Sequence, residues 1–431
     1  MIKRIAKSLL VAFCVVVAIL LNVEVLTEDP FIDVEMPYTI LNVIKKEFVF
    51  TDKSAINIDV LVEAKLEDFK DKVRDESLSY FSETAQTDEY LFVSLKAENE
   101  TNETVNVETY IYRLSDFTSL KMAEIGSERF FDLVRSEVVS EAKRTIDTDY
   151  IYGLEFLSAV NYEAVKEAEY YFNGDVIEVF YWAEVDENST LINTFIDVEI
   201  FSDITPESEE LLVKNYTPSH YVNPLRPMVA ITFDDGPVRG NTDRAVDLLN
   251  QYDARGTFFM VGEYMERYPE LIEKVYHDGH DIGSHSYGHP YLTDKKTDVA
   301  WEIGKTQEIL QSVIPEADIE YVRPPYGSFN KSVREAVGLP LVMWSLDTLD
   351  WKTRDPEATL KAVSENVKDG DIILLHDLHV PSVDSLESVL PYLIENGYQI
   401  VSISELIEAR GMEITKDSII RNGYRKESAE E

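Results

Sequence analysis

Between Thr27 and Tyr216 the chain mixes two hydrophobic periods. INIDVLVEAKL, Ile56 to Leu66, alternates apolar and polar residues and predicts a half-buried strand. LEDFKDKVRDESLSYFSETA follows, with Leu66, Phe69, Val73, Leu78 and Phe81 spaced for one helical face. EYLFVSLKA and TVNVETYIYRL flank the polar ENETNE, which reads as a hairpin. GSERFFDLVRSEVVSEAKRTI predicts a second amphipathic helix, and DVIEVFYWAEV with TLINTFIDVEIF predicts a second hairpin. The expectation for residues 28–215 is an α+β accessory domain, and it contains no histidine.

The pattern breaks between Asp203 and Pro227, where TPESEE and TPSHYVNPLRP gather proline and polar residues, so a linker is placed at 216–227. From Met228 to about Arg410, short apolar runs alternate with amphipathic helical runs such as NTDRAVDLLNQY and SLESVLPYLIENG. The apolar runs are MVAITF, GTFFMV, HDIGSH, IEYVR, LPLVMWSLD, DIILLH and YQIVSI. This alternation predicts an α/β domain over 228–410 with a parallel sheet or a barrel. Residues 411–431 read as a polar tail.

The N-terminus changes the picture of where this body works. Lys3, Arg4 and Lys7 precede the apolar LLVAFCVVVAILL, and Glu24, Glu28 and Asp29 follow it. Positive charge before an apolar run predicts an N-terminus inside and a body outside. The bulky LNVEVL offers no small-residue cleavage site. Residues 1–27 are therefore expected to be a membrane anchor, with a cleaved signal peptide as the alternative, and the body to be extracytoplasmic. A formal charge of −41 repels nucleic-acid phosphates and excludes a basic nucleic-acid groove. Cys14 is the only cysteine and lies in the apolar run, so any metal in the body must be held by histidine and carboxylate.

The chemistry collects at strand ends, which in parallel barrels gather around one site. MVAITF runs into Asp234 and Asp235; HDIGS into His285, with His289 four residues on; IEYV into Arg323 and PPYG. LVMWSL runs into Asp347, Asp350 and Trp351, and DIILL into His376. Two histidines and a carboxylate with an open position suit a hydrolytic metal site. Asp235 would be the third ligand and Asp234 a free base; alternatively one of the pair caps the helix from Asn241 onwards. The two prolines of RPPYG lack amide hydrogens, so the next donor is the Tyr326 N–H, placed for oxyanion charge. Arg323 can fork a carboxylate, and His376 is a candidate general acid.

In this order TFDDGP, HSYGH, RPPYG, DTLDW and LLHD resemble the five motifs of the polysaccharide deacetylase family (NodB-homology, carbohydrate esterase family 4). The resemblance spans roughly Arg226 to Arg410. It implies a distorted (β/α)7 barrel and a metal-dependent N-deacetylase. It implies Asp234 as base, Arg323 as the residue positioning it, and Asp235, His285 and His289 as ligands of a divalent metal. The resemblance implies zinc as that metal, with cobalt or another divalent ion as substitutes. It further implies Tyr326 as the backbone oxyanion donor, Asp350 as the carboxylate tuning the catalytic His376, and Trp351 and Leu374 as walls for the acetyl methyl. With an extracytoplasmic body, the expected substrate is peptidoglycan, at N-acetylglucosamine or N-acetylmuramic acid. Chitin oligomers, an exopolysaccharide or acetylated xylan are alternatives, and an inactive glycan-binding sensor is the alternative of another class.

Overall fold

The computed structural model describes residues 58–86, 90–114, 118–172, 176–185, 188–197, 201–202, 212–213 and 218–425. The anchor expected at 1–27 lies outside the described residues. Among those described, no helix is long and apolar enough to cross a membrane.

The described residues open on helix α1 (Ile58–Val73), where the alternation predicts a strand. Both periods fit this stretch, because Val62, Leu66, Phe69 and Val73 also share one helical face. Val62 and Phe69 bury that face against Leu91, Val93, Leu95 and Ala97. The helix stops at Val73, short of the predicted end: Arg74 takes a left-handed φ of 55°, and Ser79–Gln86 becomes strand β1. Strands β2 (Tyr90–Glu98), β3 (Thr104–Arg113) and β4 (Ser119–Leu120) complete an antiparallel sheet in the order β1-β2-β3-β4. Next come helix α2 (Glu128–Thr145) and strands β5 (Glu169–Phe172), β6 (Val176–Val185) and β7 (Asn188–Asp197), with β6 and β7 forming the expected hairpin. Phe201–Ser202 (β8) and Leu212–Val213 (β9) pair briefly.

The second layer system is parallel. Strands β10 (Met228–Asp234), β11 (Thr257–Met260), β12 (Asp281–Ser284), β13 (Leu341–Val342), β14 (Leu346–Asp347), β15 (Ile372–His376) and β16 (Gln399–Val401) alternate with helices, except that β14 follows β13 directly. Parallel pairing runs β12-β11-β10-β15-β14, and β16 joins the start of β10. IEYVR contributes one residue, Val322, which bridges Ser284 on one side and Leu341 on the other. LPLVMWSLD is split into β13 and β14. Beyond Gly411 the chain is not only tail: Ile419–Ile420 (β17) pairs in parallel with β13, and Ile420 is buried.

Helix α2 joins the two parts. Its Val134, Val138 and Ala142 share one continuous core with the β10 residues Val229 and Ile231. Arg135 donates to the carbonyls of Asn250 at 2.8 Å and Gln251 at 2.7 Å, and Arg129 to that of His277 at 3.2 Å. These carbonyls end helices Thr242–Gln251 and Pro269–His277, where helical carbonyls have no partner within the helix. Lys143 pairs with the buried Asp253. All of these contacts precede β11 and β12, so α2 docks at the N-terminal ends of the strands and leaves their C-terminal ends open.

Candidate active site

Asp234 is the last residue of β10 and lies in register with His376 at the end of β15. Arg323, fully buried, stacks 4.1 Å over the Phe259 ring. Its guanidinium donates to Asp234 Oδ1 at 2.8 Å, Thr232 Oγ1 at 2.8 Å and the carbonyls of Val342 at 3.2 Å and Met343 at 3.1 Å. All three guanidinium nitrogens are engaged, so the head group cannot swing and Asp234 Oδ1 is held in place. Its Oδ2 faces His285 Nε2 at 3.6 Å.

Asp235 sits at φ 75°, past the strand end, and that turn carries its carboxylate towards the same side as Asp234 rather than the opposite face. Its Oδ1 lies 3.5 Å from His285 Nε2 and 3.2 Å from His289 Nε2. One ligand atom from each of the three falls within 4.8 Å of the others. His285 Nδ1 donates to the Arg323 carbonyl at 2.7 Å, which leaves Nε2 with its lone pair free when the ring is neutral. Burial lowers the His285 pKa against the pull of Asp234 and Asp235, favouring that neutral ring. Burial opposes the Asp235 charge too, but the hydrogen bond to His289 and the neighbouring histidines outweigh it and lower its pKa to about 2. Two imidazole nitrogens and an anionic oxygen fit a divalent metal with an open position.

His376 Nδ1 donates to Asp350 Oδ1 at 2.9 Å, and its backbone N–H to Asp350 Oδ2 at 2.9 Å. Burial disfavours the imidazolium, yet the hydrogen bond to Asp350 and the charges of Asp350, Asp234 and Asp235 prevail and raise its pKa to about 9. Asp350, fully buried, is kept below the ordinary carboxylate range: burial resists its charge, but His376 compensates. Leu374, one strand period before His376, shares its face and is buried. Trp351 is half-exposed on the rim, one residue past Asp350. Tyr326 sits at φ 59° in the turn after the two prolines, with its ring 4.6 Å from that of His289.

Three supporting residues lie within TFDDGP, DTLDW and LLHD, where the motif reading assigns them no role. Thr232 precedes Asp234 by one strand period and takes an Arg323 bond. The Thr348 hydroxyl lies 2.8 Å from the Leu374 carbonyl and 3.2 Å from Asp350 Oδ1, two acceptors that share its one proton. Asp377 is buried beneath Gly236, so close that a Cβ at Gly236 would overlap its carboxylate. Its Oδ2 accepts from Thr242, and burial raises its pKa to about 7. Thr232 was readable from strand alternation; Thr348 and Asp377 depend on loop paths that local patterns do not specify.

The family profile described as Polysaccharide deacetylase matches residues 222–339. A peptidoglycan-N-acetylglucosamine deacetylase of Bacillus cereus is 36% identical over 211 residues, covering 46% of this chain and 98% of that protein. The chain belongs to the polysaccharide deacetylase family. The peptidoglycan-N-acetylglucosamine deacetylase PgdA of Listeria monocytogenes is 33% identical over 278 residues. That match covers 59% of this chain and 58% of the Listeria protein, so the chain spans a little over half the length of this relative. The solved structure of peptidoglycan deacetylase PdaC from Bacillus subtilis, 33% identical, overlaps 44% of this chain and 94% of that chain with a TM-score of 0.43.

Proposed function

We propose that this chain is a metal-dependent hydrolase that removes N-acetyl groups from a cell-wall glycan, peptidoglycan above all, and releases acetate. One observation carries the reading: an Arg-held carboxylate, a His–His–Asp triad and an Asp-held imidazole converge at neighbouring strand ends. Asp235, His285 and His289 would hold a divalent ion, zinc with cobalt able to replace it, which when bound would polarise the acetamide carbonyl and acidify water. Asp234, fixed through Oδ1, takes the proton of the attacking water on its other oxygen. The Tyr326 N–H is assigned to the developing oxyanion. His376, protonated at neutral pH, gives its proton to the departing sugar amine, and Asp350 offsets the charge it carries before that transfer. Leu374 and Trp351 wall the acetyl methyl.

Around this chemistry we place a distorted (β/α)7 barrel over 228–410, supported by the single bridges that carry the pairing from Ser284 through Val322 to Leu341. Residues 28–215 form the accessory domain and 216–227 the linker. The charge pattern of residues 1–27 supports an anchor and an extracytoplasmic body. The relatives' names support peptidoglycan and differ on the sugar: the Bacillus subtilis PdaC is a peptidoglycan-N-acetylmuramic acid deacetylase. The test is acetate release from purified N-acetylated peptidoglycan and from chitin oligomers, with chelator and with zinc or cobalt added back. Chelator-sensitive release from peptidoglycan supports the reading. Equal release in chelator, or none from either glycan by the folded, metal-loaded protein, overturns it.

A further inference from the structure

Beside His289 lies a pair of tyrosine rings that the chemistry above does not use. The rings of His289 and Tyr326 meet edge to face at 4.6 Å, and Tyr326 stacks on Tyr291 at 4.1 Å with 20° between planes. Both tyrosines are large apolar groups left in water: Tyr291 is 54% exposed and Tyr326 57%. Their positions are built rather than loose. The Tyr291 carbonyl accepts from Asp294 N at 2.9 Å and from Thr297 Oγ1 at 3.1 Å. Thr293 Oγ1 and Ser328 Oγ lie 3.1 Å apart and tie the two loops together. Pro290 and Pro325, each preceding a tyrosine, restrict the backbone on both sides.

A rigid pair of exposed aromatic rings beside a reaction site marks a ligand surface, since such groups remain uncovered at a cost unless a partner covers them. The matching partner is a pyranose, whose axial C–H face is apolar and flat while its hydroxyl edge stays in water. We propose that Tyr291, stacked on Tyr326, is a binding shelf for the sugar next to the one that loses its acetyl group. The proposal rests on the deacetylase reading of the same site. The shelf makes the enzyme select glycan strands over single sugars, because the energy of the neighbouring ring is added to that of the reacting one.

The test separates binding from turnover. Full-length wild type, Tyr291→Ala and Tyr291→Phe are titrated by calorimetry with N-acetylglucosamine and with its tetramer, and acetate release from the tetramer is measured. The shelf predicts that Tyr291→Ala weakens tetramer binding and raises KM about tenfold, equivalent to about 1.4 kcal/mol. Monosaccharide affinity should move less than twofold, kcat should fall far less than KM rises, and Tyr291→Phe should restore wild-type values. Equal weakening for both ligands, or unchanged tetramer binding in Tyr291→Ala, overturns the shelf. Wild type that binds the tetramer yet releases acetate neither from it nor from peptidoglycan refutes the deacetylase reading, and the Tyr291→Ala titration still decides the shelf.

Discussion

Asp350→Asn tests how the acid is charged. In the native site Asp350 accepts the His376 Nδ1–H at 2.9 Å; burial opposes the imidazolium, and Asp350 is foremost among the groups that raise its pKa to about 9. Asparagine keeps the shape and removes the negative charge, so the His376 pKa falls to the ordinary value of about 6.5 or below, because burial still acts. At pH 8 the protonated share drops from about 90% to about 3%, a loss of about thirtyfold in available acid. At pH 5.5 the native acid is almost fully protonated and the variant's about nine-tenths, so the ratio shrinks to whatever is lost in positioning. The sign follows from the elevated value: the acid is present below its pKa and is lost as pH rises through it. The assay is kcat for acetate release between pH 5 and 10. A charge common to both proteins moves both profiles and leaves their separation. A ratio that stays constant across this range would refute the reasoning.

Lys143→Met leaves Asp253, whose side chain is fully buried, without its ion-pair partner. Unfolding free energy should drop by about 3–5 kcal/mol, read by denaturant melts; a change within 0.5 kcal/mol contradicts the pairing. Burial opposes the Asp253 charge, but Lys143 and His220 hold its pKa far below the usual range, so the contribution is complete above about pH 4 and fades as pH falls. Gly236→Ala must displace either the Asp235 turn or the Asp377 carboxylate. It should cost about a hundredfold in kcat, the scale of a misplacement near 1 Å, and an alanine enzyme with native kcat contradicts that close fit.

Much of the site is legible in the sequence because parallel strands deliver their last residues to one end, and a turn residue can be read where it stands. Asp234, Asp235, His285, Arg323 and His376 all follow apolar runs, and the fold brings them together as expected. What the sequence leaves open are choices made by packing. Ile56–Leu66 carries both a strand and a helix period, and burial of Val62 and Phe69 decides for the helix. IEYVR reads as a strand yet forms one bridge residue, Val322, because the prolines that follow at 324 and 325 give no amide hydrogen to continue a ladder. Ile419 and Ile420 lie in a polar stretch, and their pairing with Leu341 and Val342 is a long-range contact that no local window reveals. The docking of α2 is equally hidden, since Arg129, Arg135 and Lys143 look like the solvated face of a helix until their partners are in view.

The paired aspartates carry the central claim, that one neighbour holds the metal and the other moves the proton. The most direct measurement is bound metal per chain together with acetate release from N-acetylated glycan, for Asp234→Asn and Asp235→Asn. The account predicts that Asp234→Asn retains the wild-type metal content while turnover falls by about a thousandfold, and that Asp235→Asn loses the metal as well as the turnover. An Asp234→Asn enzyme that works at the native rate, or an Asp235→Asn enzyme that keeps its metal, would contradict it.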